Sequence, residues 1–181
     1  PVSSLRLYDC RVPRENLLGQ SGTGLQIGLV ARDTGRIGIA AQALGIAQAS
    51  MEEAIRYANQ RQQFGVPLSR HQAIQMMIAD MATQVDAARM MIYRAAWLKD
   101  QHQTFTKASA QAKLFASEAA GKVTDLAVQI HGGYGYSKAY PVERYYRDAR
   151  VTRIYEGTSE IHRMVIAREA QKDVMSDLHL A

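Results

Sequence analysis

The chain has 181 residues, of which 47% are hydrophobic and 22% charged, enough for one domain with a proper core. Cys10 is the only cysteine, so an intrachain disulfide and a thiolate metal cage are excluded, and a reducing compartment fits. The formal charge of +5 suits nucleic acid, an anionic membrane surface or a phosphorylated small ligand; with the arginines dispersed and no nucleic-acid motif, a phosphate-bearing ligand is the favoured reading.

Helix formers dominate long stretches, and four prolines interrupt them. No apolar run reaches the length of a membrane span. The chain opens at Pro1 without a methionine, a signal peptide or a transit-like segment, and it is expected to begin inside a larger protein.

Leu5-Arg6-Leu7-Tyr8 alternates weakly and Cys10-Arg11-Val12-Pro13 closes it, which predicts one strand and a turn. A single strand cannot stand alone. Residues 1–21 are therefore expected to be the end of a preceding β domain plus a linker, with a helical domain over 22–181. The glycine-rich stretch Gly19 to Gly24 lacks a P-loop lysine and reads as a connector.

The first long helix is predicted from about Gly24 to Gln62, with Ile27, Val30, Ile37, Ala41, Leu44, Ala47, Met51, Ala54 and Ile55 on its apolar face. Arg32-Asp33-Thr34-Gly35-Arg36 breaks that pattern. It is either a solvated turn with an Asp33–Arg36 pair or a stretch that faces a ligand. Gly65 and Pro67 then end the helix. On the residues alone, Arg61 is a helix-terminal arginine and Phe64 a core phenylalanine.

A second helix follows Ser69-Arg70-His71-Gln72, which has the form of a capping box. Its stripe is Ile74, Met77, Ile78, Met81, Val85, Ala88, Ile92 and Ala95, up to about Lys99. The methionines read as core filler. His71 has no second ligand at metal spacing. The third helix is predicted from about Thr106 to Ile130, with Ala112, Phe115, Ala119, Val123, Leu126 and Ile130 on one face. Gly132, Gly133 and Gly135 follow it, more glycine than a helix cap needs.

Tyr140-Pro141-Val142 opens a short helix that ends near Arg150. After a loop, Thr158 or Ser159 caps a final helix to about Asp173, with Ile161, Met164 and Val165 on one face. Glu156 lies on the loop before that helix. It is either a dipole-compensating residue or a ligand-facing carboxylate. Gly157 lets the backbone come close to a ligand. The fold expected is all-α: an up-and-down four-helix-type bundle with an extra short helix, preceded by a strand remnant of a β domain.

The run Arg147-Asp148-Ala149-Arg150-Val151-Thr152-Arg153-Ile154-Tyr155-Glu156-Gly157-Thr158-Ser159-Glu160-Ile161 resembles the C-terminal signature of the acyl-CoA dehydrogenase family, close to its short-chain branch. Arg61-Gln62-Gln63-Phe64-Gly65 and Gln129-Ile130-His131-Gly132-Gly133-Tyr134-Gly135 resemble two more of its motifs, and Asp9 to Gly19 resembles its exit from the middle β domain. The resemblance implies that Glu156 is the catalytic base. It implies FAD contacts by Arg61, Phe64, Gln72, Gln129, Gly132, Gly133, Thr158 and Glu160, the Arg61 motif acting on the FAD of a neighbouring subunit. It places Asp33, Arg36, Tyr155 and Gly157 at the acyl-CoA, and it implies no metal.

The activity so implied is α,β-dehydrogenation of a short-chain or short branched-chain acyl-CoA to the trans-2-enoyl-CoA. Reduced FAD would pass electrons to an electron-transfer flavoprotein. A homotetramer is expected, with no nucleic acid partner, in the mitochondrial matrix of a eukaryote or the cytoplasm of a bacterium. Some relatives carry the base on the first long helix near the position of Gly35, where this chain has none. Alternatives are an acyl-CoA oxidase-like flavoenzyme on the same fold and a non-catalytic helical oligomerisation module. The piece by itself is expected to be inactive.

Overall fold

The computed structural model describes residues 3–178. Its helices are α1 (Gly24–Gln60), α2 (Gln72–Asp100), α3 (Thr106–His131), α4 (Gly133–Tyr136), α5 (Val142–Val151) and α6 (Ser159–Leu178). Between α1 and α2 lies a two-stranded antiparallel hairpin, β1 (Gln62–Gln63) and β2 (Val66–Pro67), with Gln63 opposite Val66. The chain divides into two compact units, residues 1–31 and 32–181. Among the described residues no helix is long and apolar enough to cross a membrane.

In the first unit Leu5 to Tyr8 forms no strand, contrary to the expectation from its alternation. A strand needs the backbone ladder of a neighbour, and the described residues offer none. A 3₁₀ turn at Arg14–Asn16 is the element that forms before α1. Gly19 takes a left-handed φ of 74°, a conformation in which any other side chain is strained.

The second unit is the helical bundle. Its core joins α1 (Ala40, Ala43, Leu44, Ala47, Ala54), α2 (Met81, Val85, Ala88, Ile92, Ala95), α3 (Ala112, Ala116, Ala120, Val123, Ala127) and α5 (Val142, Ala149). So many alanines let the helices approach closely. Side-chain contacts fix the directions. Asp33 near the start of α1 meets Thr106 at the start of α3, and Tyr57 near the end of α1 stacks on His131 at the end of α3. The two helices thus run parallel, with α2 returning between their ends; Arg89 midway along α2 donates to Gln48 midway along α1. Lys107–Asp173 and Glu118–Arg163 pairs lay α6 antiparallel on α3.

Four local expectations change. The capping box at Ser69 is not formed: Leu68–Arg70 is a 3₁₀ turn, α2 starts at Gln72, and the Ser69 carbonyl accepts from Gln75 Nε2. The backbone leaving the hairpin turns once more before the helix can begin. Phe64 is not a core residue but 93% exposed, at the tip of the hairpin. The buried stripe of α1 passes through Ala40, Ala43 and Ala47, leaving Ala41 and Val30 exposed. In α6 the expected face is turned out in part: Ile161 and Met164 are exposed, Val165 is half-buried, and His162 is buried, because the helix meets α3 through Ser159 and His162.

Candidate active site

The loop between α5 and α6 is closed by two backbone bonds, Ile154 N to Val151 O at 2.9 Å and Ser159 N to Arg153 O at 3.2 Å. Thr158 then caps α6, its Oγ1 accepting from Ile161 N at 3.4 Å. At the loop's apex two consecutive residues lie in the left-handed region, Glu156 at φ 55° and Gly157 at φ 93°. For a glutamate that conformation costs on the order of 1–3 kcal/mol and persists where its surroundings impose it.

The surroundings do so. The half-buried Glu156 carboxylate lies directly over Gly35 of α1, where any added Cβ would overlap it. Tyr155 Oη donates to Gln42 Oε1 at 2.5 Å, tying the loop to the next turn but one of the same helix. The Glu156 backbone N–H donates to no acceptor among the described residues.

Under the loop lies a group of cationic and polar side chains, nearly all buried. Lys113 of α3 is fully buried and its Nζ donates to the Gly157 carbonyl at 2.7 Å. Burial lowers its pKa to about 8, opposed by the charge of Glu156. His162 is fully buried against Gly157, with neither ring nitrogen in hydrogen-bond geometry. Burial, then the Lys113 and Arg36 charges, depress its pKa to about 4, so it is neutral near pH 7. Arg36 NH1 lies 2.8 Å from Asp33 Oδ1, an ion pair by distance although its angle misses hydrogen-bond geometry. Desolvation pulls Arg36 below its ordinary value and Asp33 opposes this. Asp33 Oδ2 in turn accepts from Thr106 Oγ1 at 2.5 Å.

The structure therefore gathers Asp33, Arg36, Tyr155, Glu156, Gly157, Thr158 and Glu160 at one end of the bundle. Glu160 is exposed in the first turn of α6; its own N–H and then the Thr158 hydroxyl hold its carboxyl below the usual range. Lys113 and His162 belong to this group too, and the motifs of the sequence single out neither. One signal for Lys113 is in the chain: it shares a helix stripe with Ser109, Ala116, Ser117 and Ala120, all buried.

Arg61, Phe64, Gln72, Gln129, Gly132 and Gly133 gather elsewhere, around the hairpin and the end of α3. From Arg36 to the helix terminus at Arg61 the chain advances about 37 Å, at 1.5 Å per residue. A concavity of about 590 Å³ is lined there by Tyr57, Arg61, Leu68, Gly132, Gly133 and Tyr134. Gly132 has φ 59° and caps α3, and the space where Cβ atoms of Gly132 and Gly133 would lie is open. Arg61 has no carboxylate partner among the described residues, and its guanidinium lies 5.9 Å from the Tyr134 ring centre. Phe64 and Gly65 (φ 54° and 81°) form the two-residue turn, a type I′ geometry that disfavours phenylalanine. An open glycine backbone, an unpaired guanidinium and an exposed aromatic ring fit the phosphates and a ring of a dinucleotide. A groove of about 600 Å³ beside Tyr146, Arg147, Arg150 and Arg153 holds none of the expected site residues. Among the described residues no cluster of three metal-ligating side chains occurs.

The family model for the acyl-CoA dehydrogenase C-terminal domain matches residues 22–171. The chain belongs to the acyl-CoA dehydrogenase family. It is 57% identical over 171 residues to an acryloyl-CoA reductase (NADH) of Anaerotignum propionicum, covering 94% of this chain and 43% of that protein. It is likewise 57% identical over 166 residues to the mitochondrial short-chain specific acyl-CoA dehydrogenase of Rattus norvegicus, covering 92% and 40%. Among solved structures it superposes on butyryl-CoA dehydrogenase of Megasphaera elsdenii with TM-score 0.87 and 51% identity, over 88% of this chain and 42% of that one. The chain thus spans less than half the length of these relatives, and the acyl-CoA dehydrogenase domain it contains is the helical C-terminal one.

Proposed function

We propose that the protein carrying this domain is an FAD-dependent acyl-CoA dehydrogenase that converts a short-chain or short branched-chain acyl-CoA to the trans-2-enoyl-CoA, with Glu156 as the base. The observation that carries this is the seat of the Glu156 carboxylate over Gly35, on a loop strained into place and tied to α1 and α3. Family relatives with the base on the first helix would place it where Gly35 stands. A side chain at Gly35 would have to displace the Glu156 carboxylate, and this chain has glycine there and the glutamate on the loop.

In this reading Glu156 removes the α-proton of the thioester. A carboxylate is a weak base for such a carbon, so its reach, partial desolvation and the stabilisation of the developing enolate have to help. The free Glu156 N–H supplies a donor for the thioester oxygen. Asp33, Arg36 and Tyr155 line the approach and hold the CoA ester in register. The chemistry that FAD supplies when bound is acceptance of the hydride from the β-carbon. Arg61, Phe64, Gln72, Gln129, Gly132 and Gly133 would hold the phosphates and adenine of a second subunit's FAD, because they stand too far along α1 from Glu156 to serve the same flavin. Thr158 and Glu160 would contact the flavin beside Glu156. An acyl-CoA, an electron-transfer flavoprotein and three further copies of the chain are the partners this reading requires.

The similarity to an acryloyl-CoA reductase favours a second direction. Run in reverse, protonated Glu156 would return the proton to the α-carbon, and the same residues would serve.

The test uses the full-length protein with FAD bound, mixed anaerobically with butyryl-CoA while flavin absorbance is followed. Rapid bleaching is expected in wild type and a loss of about 10³-fold or more in Glu156→Gln, an uncharged isostere, with FAD and ligand still bound. Equal bleaching in both proteins would remove Glu156 from the role.

A further inference from the structure

We propose that Lys113 is a positioning residue for this site: through the Gly157 carbonyl, its ammonium holds the Glu156–Gly157 pair in the left-handed conformation that lays the carboxylate over Gly35. This rests on the base assigned to Glu156 above.

A lysine is almost never fully buried unless its charge is matched, yet Lys113 is 0% exposed in a stripe that otherwise carries alanine and serine. What offsets that burial is one short bond, Nζ to Gly157 O at 2.7 Å. The Gly157 carbonyl has no other hydrogen-bonded donor among the described residues. The His162 ring lies near it, but neither ring nitrogen achieves hydrogen-bond geometry. No ion pair to Lys113 forms among the described residues either; Glu156 and Glu160 act on it at a distance. Lys113 is thus a tether to the loop rather than half of a buried salt bridge.

The tether acts where the loop needs it. Tyr155 and Ser159 anchor either side of the apex, to Gln42 and to Arg153 O. Neither fixes the Gly157–Thr158 peptide. A flip of that peptide would turn the Gly157 carbonyl away from α3 and loosen the apex that lays the carboxylate over Gly35. The neighbouring Arg32 and Arg36 are also cationic, so an unsecured Glu156 has alternative partners to swing towards. A charge-assisted bond from a rigid helix removes that freedom.

The test uses the full-length, FAD-loaded protein. Lys113→Met keeps an apolar stem of similar length and deletes the donor. Lys113→Gln is a second probe, its amide too short to reach Gly157. Val123→Ala, about 15 Å further along α3, is the control for loss of stability alone. Two quantities are read: steady-state kcat and KM with butyryl-CoA, and amide exchange of residues 156–161 without substrate. A misplaced base is expected to lower kcat by about tenfold to a hundredfold with KM changing less than about threefold. Exchange of the loop is expected to speed by about tenfold in both Lys113 variants and not in Val123→Ala. Exchange unchanged in both, or raised equally by Val123→Ala, would overturn the positioning role even with Glu156→Gln inactive. Faster exchange together with an active Glu156→Gln would instead overturn the base.

Discussion

Glu156 sits in a backbone conformation that a glutamate seldom adopts, and the residues that make it do so are the informative ones. Gly157 follows with φ 93°, where an added Cβ would be strained and crowded by the His162 ring and the Arg32 guanidinium. Gly35 leaves the space that the carboxylate fills. Of this group the sequence shows Glu156, Gly157 and Tyr155 plainly, because they are contiguous in a motif. Lys113 and His162 are hidden in it, one inside an alanine-rich helix and the other a polar residue on the inward face of α6, beside the half-buried Val165 and Ile166. His162 yields a prediction in pH. Its folded pKa of about 4 lies below the unfolded value near 6.5, so the unfolded chain binds a proton in that window and the folded chain does not. Stability contributed by the neutral ring is present above pH 6.5 and is lost as pH falls towards 4. Between pH 7 and pH 5 the loss comes to about 2 kcal/mol. Urea unfolding of wild type and His162→Gln at the two pH values checks this: the variant is expected to lose less by that amount, and equal losses would refute the assignment.

At the scale of elements, α2 is the most legible in the sequence, its buried Met81, Val85, Ala88, Ile92 and Ala95 all lying on the predicted stripe. Periodicity works when one face of a helix is apolar and the other is not. It serves α1 less well, since alanine on both faces leaves the sequence indifferent to which face is buried. The turn elements are less legible still. Gly65 and Pro67 announce a break, but not that the break is a hairpin with Phe64 exposed at its tip. The glycines after α3 are visible as a group while their separate duties are not. Gly132 supplies the left-handed cap, whereas Gly135 lies against the last turn of α3, where an added Cβ would stand 2.5 Å from the Val128 carbonyl and 2.8 Å from His131 Cβ. Gly135→Ala is therefore expected to destabilise by about 1–3 kcal/mol through overpacking. Gly121→Ala, in the middle of α3 with open space around it, is expected to stabilise by up to about 1 kcal/mol. Thermal melts of the pair decide it, and opposite signs are the result required.

For the molecule as a whole, the helical bundle is legible from helix length, stripe and short connections. The division of labour along α1 is not. Residues that stand apart in sequence look alike whether they meet in space or face away, and only the extended helix shows that Arg61 and Glu156 lie at opposite ends of the domain. This separation has a consequence for inheritance. On the proposed arrangement each reaction centre takes Glu156 from one polypeptide and Arg61 from another. A chain with Arg61→Ala and a chain with Glu156→Gln would each be inactive when expressed singly. Co-expressed, they would form mixed assemblies in which some centres draw both intact residues and others draw neither. Activity is expected to return to a sizeable fraction of wild type, on the order of a quarter for random pairing. Purifying the mixed assemblies through two different affinity tags and assaying them measures it. Two alleles, each null in the homozygote, would then complement one another within a single gene.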